Sequence, residues 1–388
     1  MAVRVLHYVG IMNRGGMETF IMNLYRNIDR SEIQFDFAVH GDCAGDFEKE
    51  ISALGGKFCY FPQMRKDPLK YRKAWKDFWK NNKERYVAFH MHTNSLANII
   101  ALEEATKAGI PIRIVHSHSS MANKGRLQWL NDILHKRHQA RLPKLATHLF
   151  ACSDRAAEWL FGGTEIKGLT VTRINNGVQI SDFRYDSEIG KNLRAELNIS
   201  DKKVIGHIGT FLPVKNHTFL IKTVEKCYLS DPSVRCLLIG NGPRFNEIKD
   251  IVKQKNLQDV ILFLGVRDDV NKLLSAMDLF IMPSLYEGLP VSLVEVQANG
   301  LPALVSDTIT KDVAMQKNLH YMSLEASADE WARVALSIIE NNERSFDNSC
   351  ISENGFDIKK TVDLYESIIL SKGNLANDRN RNQRILVI

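Results

Sequence analysis

IMPSLYEGLPVSLVEVQANGLP, residues Ile281 to Pro302, is the stretch from which the fold can be worked out. The apolar run that ends at Met282 predicts a buried strand, and Pro290 stands where a helix can begin, because the first helical N–H has no partner there. Gly300 followed by Pro302 predicts the end of that helix. This order of strand, loop and helix leaves free N–H groups and the positive end of the helix dipole in the loop, which suits a phosphate.

Two glutamates frame this loop, with seven residues between them: Glu287 before the helix and Glu295 within it. The residues around Glu295 are apolar, and a carboxylate in such surroundings needs a partner. Hydroxyl groups of a sugar or a ribose are suitable donors. The alternative is that Glu287 is an ordinary helix-start carboxylate and that Glu295 faces solvent, and the spacing alone leaves both interpretations open.

The order Glu-Gly-Leu-Pro, a second glutamate and a Gly-x-Pro turn resembles the signature of retaining glycosyltransferases of family 4, which have the GT-B fold. The resemblance implies that Glu287 contacts hydroxyls of the donor sugar and that Glu295 binds the ribose of the nucleotide. It also implies that N–H groups at the helix start hold the diphosphate. These N–H groups belong to Gly288, Leu289 and Val291.

The chain has 388 residues, which is enough for two domains with separate cores. Its composition, 44% hydrophobic and 25% charged, is that of an ordinary globular protein. We expect no signal peptide after Met1 and no membrane-spanning helix, because no apolar run approaches the ~18–20 residues that a span needs. The six cysteines form no C-x-x-C pair, so we expect no zinc site, no disulfide framework and a cytoplasmic location.

Predicted strands and helices alternate along the chain, which indicates βαβ units and parallel sheets with helices on both faces. The predicted class is therefore α/β. The resemblance makes it GT-B, with two Rossmann-like domains whose parallel sheets face each other across a cleft. We expect an acceptor-side domain over residues 1–182, a linker between Asp182 and Lys203, and a nucleotide-sugar-binding domain over residues 183–356. A last helix, 357–372, is expected to pack back on the first domain.

A glycine pair, Gly15 and Gly16, follows the first predicted strand, Val3–Val9, and precedes a predicted helix. No G-x-G-x-x-G dinucleotide fingerprint is present, and on the residues alone a tight turn explains the pair. Family 4 enzymes carry a similar pair, which lets the backbone approach the donor phosphate and the acceptor. The resemblance therefore adds Gly15 and Gly16 to the predicted donor site.

Two close histidine pairs follow predicted strands: His90 with His92, and His116 with His118. On the residues alone, each could be a loop histidine bonded to the backbone. A metal site is not predicted, because no carboxylate or cysteine clusters with them. In family 4 a histidine after the second of these strands lies near the anomeric carbon of the donor. The resemblance assigns that catalytic role to His118, with His116 as the alternative.

The second domain opens with a strand and then Gly209 to Asn216, where the family has Gly-Arg, a short gap and Lys. Lys215 and Asn216 match, and a lysine there can neutralise the diphosphate as a point charge. Thr210 stands in place of the usual arginine, which implies either weaker donor binding or another cation in its place, and Arg244 is one candidate. A later Gly-x-Gly-Pro turn places Gly240 and Gly242 beside the nucleotide, again by resemblance.

Two segments are rich in Lys and Arg. Arg65 to Arg85 holds nine basic residues against three acidic ones, with aromatic residues interleaved, and Arg113 to Lys144 holds seven basic residues against one acidic. Either these are solvated helix faces with aromatics turned inward, or they form a surface that lies on anionic lipid. Nucleic-acid binding is not predicted, because no recognised module accompanies the charge.

The resemblance thus predicts an enzyme that moves a hexose or N-acetylhexosamine, with retention and without a metal, from a UDP-linked donor to a glycan or lipid-linked acceptor. No cofactor is expected besides the donor. The setting would be bacterial surface-polysaccharide synthesis, in the cytoplasm or peripherally on the inner face of the membrane. Two rivals remain: a sugar-nucleotide 2-epimerase on the same fold, and a non-catalytic nucleotide-sugar-binding partner of a transferase.

Overall fold

The computed structural model describes residues 2–119, 128–341 and 344–384, with side chains as far as 371. The chain divides into two compact units, Met1–Gly177 with Ile358–Ile388, and Val178–Asp357. The division therefore lies before Val178 rather than after Asp182. The start of the helix predicted from Leu127 lies outside the described residues.

The first unit holds, in its described residues, an eight-stranded sheet in the order β3-β2-β1-β4-β5-β6-β8-β7. All pairs are parallel except β7 with β8. The strands are β1 (Val3–Tyr8), β2 (Ile33–His40), β3 (Lys57–Phe61), β4 (Tyr86–His92), β5 (Ile112–Ser117), β6 (His148–Ala151), β7 (Glu165–Ile166) and β8 (Leu169–Arg173). The helices between them are α1 (Gly16–Asn27), α2 (Glu48–Ala53), α3 (Pro68–Asn82), α4 (Ile100–Lys107), α5 (Gln128–Gln139), α6 (Leu142–Leu145) and α7 (Asp154–Phe161).

The second unit holds a six-stranded parallel sheet in the order β11-β10-β9-β12-β13-β14, within the residues described. The strands are β9 (Lys203–Ile208), β10 (Val234–Ile239), β11 (Ile261–Gly265), β12 (Leu279–Met282), β13 (Ala303–Ser306) and β14 (Leu319–Met322). The helices are α8 (Ser187–Glu196), α9 (His217–Ser230), α10 (Phe245–Gln254), α11 (Val270–Leu273), α12 (Val291–Ala298), α13 (Ala328–Asn341) and α14 (Ser349–Glu353). Counted within the unit, this is the strand order 3-2-1-4-5-6 of a Rossmann fold, which places ligands where the order reverses, between β9 and β12.

The last helix, α15 (Ile358–Arg384), belongs to the first unit. Its buried residues recur at helical spacing and join the core that α1 and α2 form on one face of the first sheet. The opposite face of that sheet is covered by α3, α4 and α7. The core residues that α15 contributes are Ile358, Val362, Tyr365 and Ile369.

The predicted linker between Asp182 and Lys203 lies inside the second unit and contains a helix, α8. The helix begins because the Asp186 side chain accepts hydrogen bonds from the N–H groups of Glu188 and Ile189. It is fixed by Arg194, which donates to Asp278 at 2.6 Å. The sequence pattern that could have predicted α8 was weak, because the segment is mostly polar and buries few of its side chains.

The predicted α/β class and its two Rossmann-like domains with parallel sheets are confirmed. Some short strands, such as β7, β8 and β14, were not predicted, because their sequences show no clear alternation of apolar and polar residues. No helix in the described part of the chain is both long enough and apolar enough to cross a membrane.

Candidate functional site

Two loops follow the adjacent strands β9 and β12, and they meet where the strand order of the second sheet reverses. The first loop runs from residue 209 to 216 and the second from 283 to 290. The Leu285 N–H donates to the Val214 carbonyl at 2.8 Å and ties the loops together. The strand-loop-helix predicted for 281–302 therefore lies at the position where a sheet of this order binds ligands.

Lys215 and Glu287 connect these loops through their side chains. Lys215 Nζ donates to Glu287 Oε1 at 2.7 Å, and the two side chains are only 16% and 12% exposed. Lys215 ends a short 3-10 turn, and Asn216 after it takes a left-handed conformation with φ 54°, which asparagine tolerates. Asn216 thus turns the chain into α9, so its residue type has a conformational reason beside the predicted donor contact.

Glu295 lies in the second turn of α12 and is mostly buried. Its carboxylate has no hydrogen-bond or ion-pair partner among the described residues. Burial raises the pKa of this carboxyl from its ordinary value of 4.5 to about 7. The interpretation of Glu295 as a solvent-facing residue is therefore wrong, and an unpaired, desolvated carboxylate is suited to hydroxyl donors from a ligand.

The start of α12 offers free backbone donors, as the sequence predicted. Among the described residues, the N–H groups of Gly288, Leu289 and Val291 donate to no acceptor. They lie at the positive end of the α12 dipole, in the loop that also holds Glu287. Together with Lys215, they can neutralise an anion of the size of a diphosphate.

The glycines of the predicted site fall into two groups. A Cβ at Gly240, where φ is +132°, would lie 2.2 Å from the Gly209 carbonyl oxygen, and one at Gly242 would lie 2.7 Å from the Phe211 nitrogen. A Cβ at Gly15 would lie 2.3 Å from Glu18 Oε2. Packing against backbone atoms therefore requires Gly240 and Gly242, whereas at Gly15 the flexible end of the Glu18 side chain can move away.

Gly16 and Gly288 differ, because a Cβ at either would meet no atom within 4 Å. Neither has a positive φ. Among the described residues, then, neither packing nor backbone conformation explains these two glycines. Close approach of a ligand to the backbone would explain why glycine occupies both positions.

Thr210, where the family has arginine, is exposed. Arg244 lies at the same loop, since its N–H donates to the Phe211 carbonyl at 3.1 Å. Its guanidinium is held by both oxygens of Glu247 and lies 3.4 Å from Thr218 Oγ1. The backbone of Arg244 is thus placed at the loop from which the arginine is missing, and its role as the replacement cation stays a prediction.

The predicted histidines of the first unit lie together on one face of its sheet. The register pairs His7 with His90 and His92 with His116, and His118 follows two residues later on the same face. This face packs against α1 and α15. The histidines contact one another rather than the backbone, so their interpretation as separate loop residues is wrong.

All five imidazoles are neutral at physiological pH. Burial lowers the pKa of His7 and His118 to about 3 and the pKa values of the other three well below the ordinary 6.5. His116 is fully buried, whereas His118 is partly exposed and is thus the more accessible of the two candidates. In the part of the chain that the structure describes, ring nitrogens form two groups of three within 4.8 Å, and both groups consist of histidine alone.

Sequence reasoning missed His7 and Tyr365. His7 lies inside the predicted first strand, and only the pairing of β1 with β4 brings it to His90. Tyr365 Oη lies 3.1 Å from His90 Nδ1, although 275 residues separate the two in sequence. No local pattern carries that information.

The basic segment 65–85 has its aromatic residues turned inward, since Tyr71, Trp75 and Trp79 on α3 are buried. Its lysines at 66, 70, 73, 76 and 80 are all exposed. Exposed apolar side chains occur on α3, where Leu69 is 83% exposed, and on α5, where Trp129 is 62% and Ile133 is 56% exposed. The interpretation of the segment as a helix face with its aromatics turned inward therefore holds for these residues, and contact with anionic lipid stays a prediction.

Residues 14–182 match the family described as Glycosyltransferase Family 4, and residues 190–353 match the one described as Glycosyl transferases group 1. The chain is 34% identical over 387 residues to the putative glycosyltransferase EpsF of Bacillus subtilis, covering 98% of each chain. It is 26% identical to the Escherichia coli UDP-Gal:alpha-D-GlcNAc-diphosphoundecaprenol alpha-1,3-galactosyltransferase, covering 75% of this chain and 78% of that one. Anabaena HepE in complex with UDP-glucose has a similar structure, with a TM-score of 0.76 at 17% identity over 95% of this chain and 99% of HepE.

Proposed function

The chain belongs to the family 4 glycosyltransferases, and we propose that it transfers a hexose or an N-acetylhexosamine from a UDP-linked donor to a glycan or lipid-linked acceptor. It has the GT-B fold, and its homologues are glycosyltransferases of polysaccharide biosynthesis. The proposed setting is the synthesis of a bacterial surface polysaccharide.

One observation carries the donor proposal: the Lys215–Glu287 pair lies in the loops beside the free N–H groups that start α12, and the unpaired carboxylate of Glu295 lies in the second turn of the same helix. A nucleotide-diphosphate sugar has three parts, and each finds a matching group. The diphosphate is an anion for Lys215 and the N–H groups, the ribose offers hydroxyls to Glu295, and the sugar offers hydroxyls to Glu287.

We propose retention of the anomeric configuration. Glu287 is bonded to Lys215, so it is poorly placed to act as a free nucleophile or base. The leaving diphosphate oxygen can instead take the proton of the acceptor hydroxyl on the face where it departs. The protein then contributes positioning and charge stabilisation, with Lys215 beside the leaving diphosphate.

Metal independence is part of the proposal. Magnesium prefers oxygen ligands, whereas the clusters of potential metal ligands among the described residues contain only histidine. Lys215, Arg244 and the start of α12 supply the positive charge that a metal ion gives the diphosphate in other transferases.

The acceptor proposal places a glycan or lipid-linked acceptor on the first unit, with the enzyme in the cytoplasm and peripheral on the inner face of the membrane. Support comes from the exposed lysines of α3 and the exposed apolar residues of α5. The Escherichia coli relative, whose name specifies a diphosphoundecaprenol-linked acceptor, points in the same direction.

Donor turnover tests the proposal against its rivals. The purified chain is incubated with a panel of nucleotide sugars, with and without a polyprenyl-diphosphate-linked sugar, and the products are separated. Transfer, with slow hydrolysis when no acceptor is present, is expected. Conversion of the donor sugar to its 2-epimer would favour the epimerase, and binding without any turnover would favour the non-catalytic partner.

A further inference from the structure

His207, on β9, bridges the two strands at which the loops of the candidate site begin. The register of β9 with β12 ends at Gly206 and Phe280, so the strands are no longer paired from His207 onwards. Beyond this point His207 Nδ1 lies 2.8 Å from the Ile281 carbonyl oxygen, and the His207 side chain is fully buried. Because a carbonyl oxygen can only accept, Nδ1 carries a proton and donates this bond.

The His207 ring is neutral and is held from several sides. Burial lowers the pKa of His207 to about 4, and the nearby charge of Lys215 acts in the same direction. A neutral ring with its proton on Nδ1 has a bare lone pair on Nε2. The ring of His217 meets it edge to face with centroids 4.8 Å apart, and the ring of Phe280 lies parallel to it at 6.1 Å. With the bond to the Ile281 carbonyl, these contacts leave the ring little freedom to move.

Gly209 lies beside both this ring and the stem of Lys215. A Cβ on Gly209 would lie 3.2 Å from His207 Nε2, 3.3 Å from Lys215 Cδ and 3.4 Å from Lys215 Cε. The ring edge and the lysine stem therefore border the same space, the one that a side chain on Gly209 would fill. Gly209 has no positive φ, so its backbone conformation does not require glycine.

We propose that His207 is a positioning residue for Lys215. Its fixed ring edge and the empty side of Gly209 set the path of the lysine stem, which brings the ammonium to Glu287 at 2.7 Å. Nε2 has no hydrogen-bond partner in the described part of the chain, and its lone pair suits a neighbouring cation, which an N–H would repel. The inference rests on the proposed function only for its effect on the diphosphate, because the contact of Lys215 with Glu287 belongs to the protein without ligand.

Gly209→Ala tests this packing, since the ring is held in place and the flexible lysine stem must move instead. We expect the KM for the UDP-linked donor to rise about tenfold, the equivalent of one weakened charge-assisted contact. His207→Asn keeps an N–H donor for the Ile281 carbonyl and removes the Nε2 edge of the ring. Added to Gly209→Ala, it should lower the raised KM, because the new methyl group then fits where the ring edge was.

The matched control adds His320→Asn to Gly209→Ala. His320 is exposed on β14, so the same change of residue type there should leave the KM as high as in Gly209→Ala alone.

A second readout does not depend on activity. The coupling between Lys215 and Glu287 in the free energy of unfolding is measured by a double-mutant cycle in urea. We expect this coupling in the wild-type background, a weaker coupling in His207→Asn and none in Gly209→Ala.

Coupling that survives unchanged in both backgrounds would overturn the proposal, whatever happens to the KM. A raised KM that His207→Asn and His320→Asn lower equally, or not at all, would overturn it too, since Gly209 would then act on the ligand directly. If the coupling responds as expected but Lys215→Ala binds the donor normally, the positioning role of His207 stands and the proposed role of Lys215 fails.

Discussion

Lys215 Nζ and Glu287 Oε1 lie 2.7 Å apart, in side chains that are only 16% and 12% exposed. The pair joins the two loops at the reversal of strand order in the second sheet. A diphosphate that binds Lys215 must therefore share or displace Glu287, which is then released towards the hydroxyls of the sugar. The proposed binding of the diphosphate to Lys215 would couple donor binding to the orientation of Glu287 through this contact.

Lys215→Ala should abolish most turnover, because the diphosphate loses its principal cation where Thr210 already replaces an arginine. It should also lower the free energy of unfolding by about 1–3 kcal/mol, since Glu287 is left mostly buried without its partner. Urea unfolding and steady-state kinetics measure the two effects. The double variant Lys215→Ala/Glu287→Gln should recover stability but not turnover.

The matched control is Lys226→Ala on α9, whose partner Asp329 is 63% exposed. An exposed pair contributes about 0–1 kcal/mol, so stability and turnover should stay near wild type. Near-normal kcat and KM in Lys215→Ala would place the phosphate site elsewhere.

Glu295→Gln should change stability in a pH-dependent way. Because burial raises the pKa of Glu295 to about 7, the folded state binds more protons than the unfolded state between pH 4.5 and 7. The stability of the wild type therefore falls as pH rises through this window, and the penalty of about 3 kcal/mol is complete above pH 7. Glu295→Gln should be the more stable protein at pH 8, with no advantage at pH 4.

The same variant should bind UDP more weakly at pH 8, by about 1–3 kcal/mol, because the ribose loses a charged acceptor. Glu325 is exposed on the same unit, so Glu325→Gln is the control and should change neither the pH dependence of stability nor the affinity for UDP. Thermal unfolding across pH and calorimetric titration with UDP give both readouts. Equal UDP affinity in wild type and Glu295→Gln would rule out the ribose role.

Arg244→Ala should raise the KM for the donor, and Thr210→Arg should restore it in the double variant. Thr210 is exposed at the loop that Arg244 touches, so a new guanidinium there can reach the same anion. Donor kinetics of the two single variants and the double variant measure this. If Thr210→Arg does not lower the raised KM of Arg244→Ala, Arg244 contributes its ion pair with Glu247 and no charge to the donor site.

The local features of this site were predictable because they depend on near neighbours in sequence. Pro290 and the left-handed Gly300 mark the ends of α12, and the apolar strand before it needs no tertiary information. The pairing of His7 with His90 and the contact with Tyr365 depend on strand register and on a helix far along the chain. The raised pKa of Glu295 likewise depends on what packs around α12.

The lysines of α3 give a further prediction, that the chain binds anionic vesicles and is released as salt rises. Each basic residue near an anionic surface contributes about 1 kcal/mol, and the Debye length is ~8 Å at physiological salt. Replacing Lys70, Lys73 and Lys76 with glutamate should abolish sedimentation with the vesicles. Activity on a short water-soluble acceptor should survive, while activity on a lipid-linked acceptor should drop.

The control changes the same number of exposed lysines on the second unit, at 249, 253 and 272, and should leave vesicle binding intact. Trp129→Ala should weaken binding further, because its ring is exposed on α5. Equal, salt-insensitive sedimentation with neutral and anionic vesicles would show that the lysines form only a solvated face.

The most direct test of the central claim follows labelled sugar from a UDP-linked donor to a polyprenyl-diphosphate acceptor in the presence of EDTA. The account predicts that UDP and the glycosylated lipid form in equal amounts with retention at the anomeric carbon. Both products should persist in Lys226→Ala and disappear in Lys215→Ala. Label that never leaves the nucleotide, or transfer that proceeds equally well in Lys215→Ala, would contradict the account.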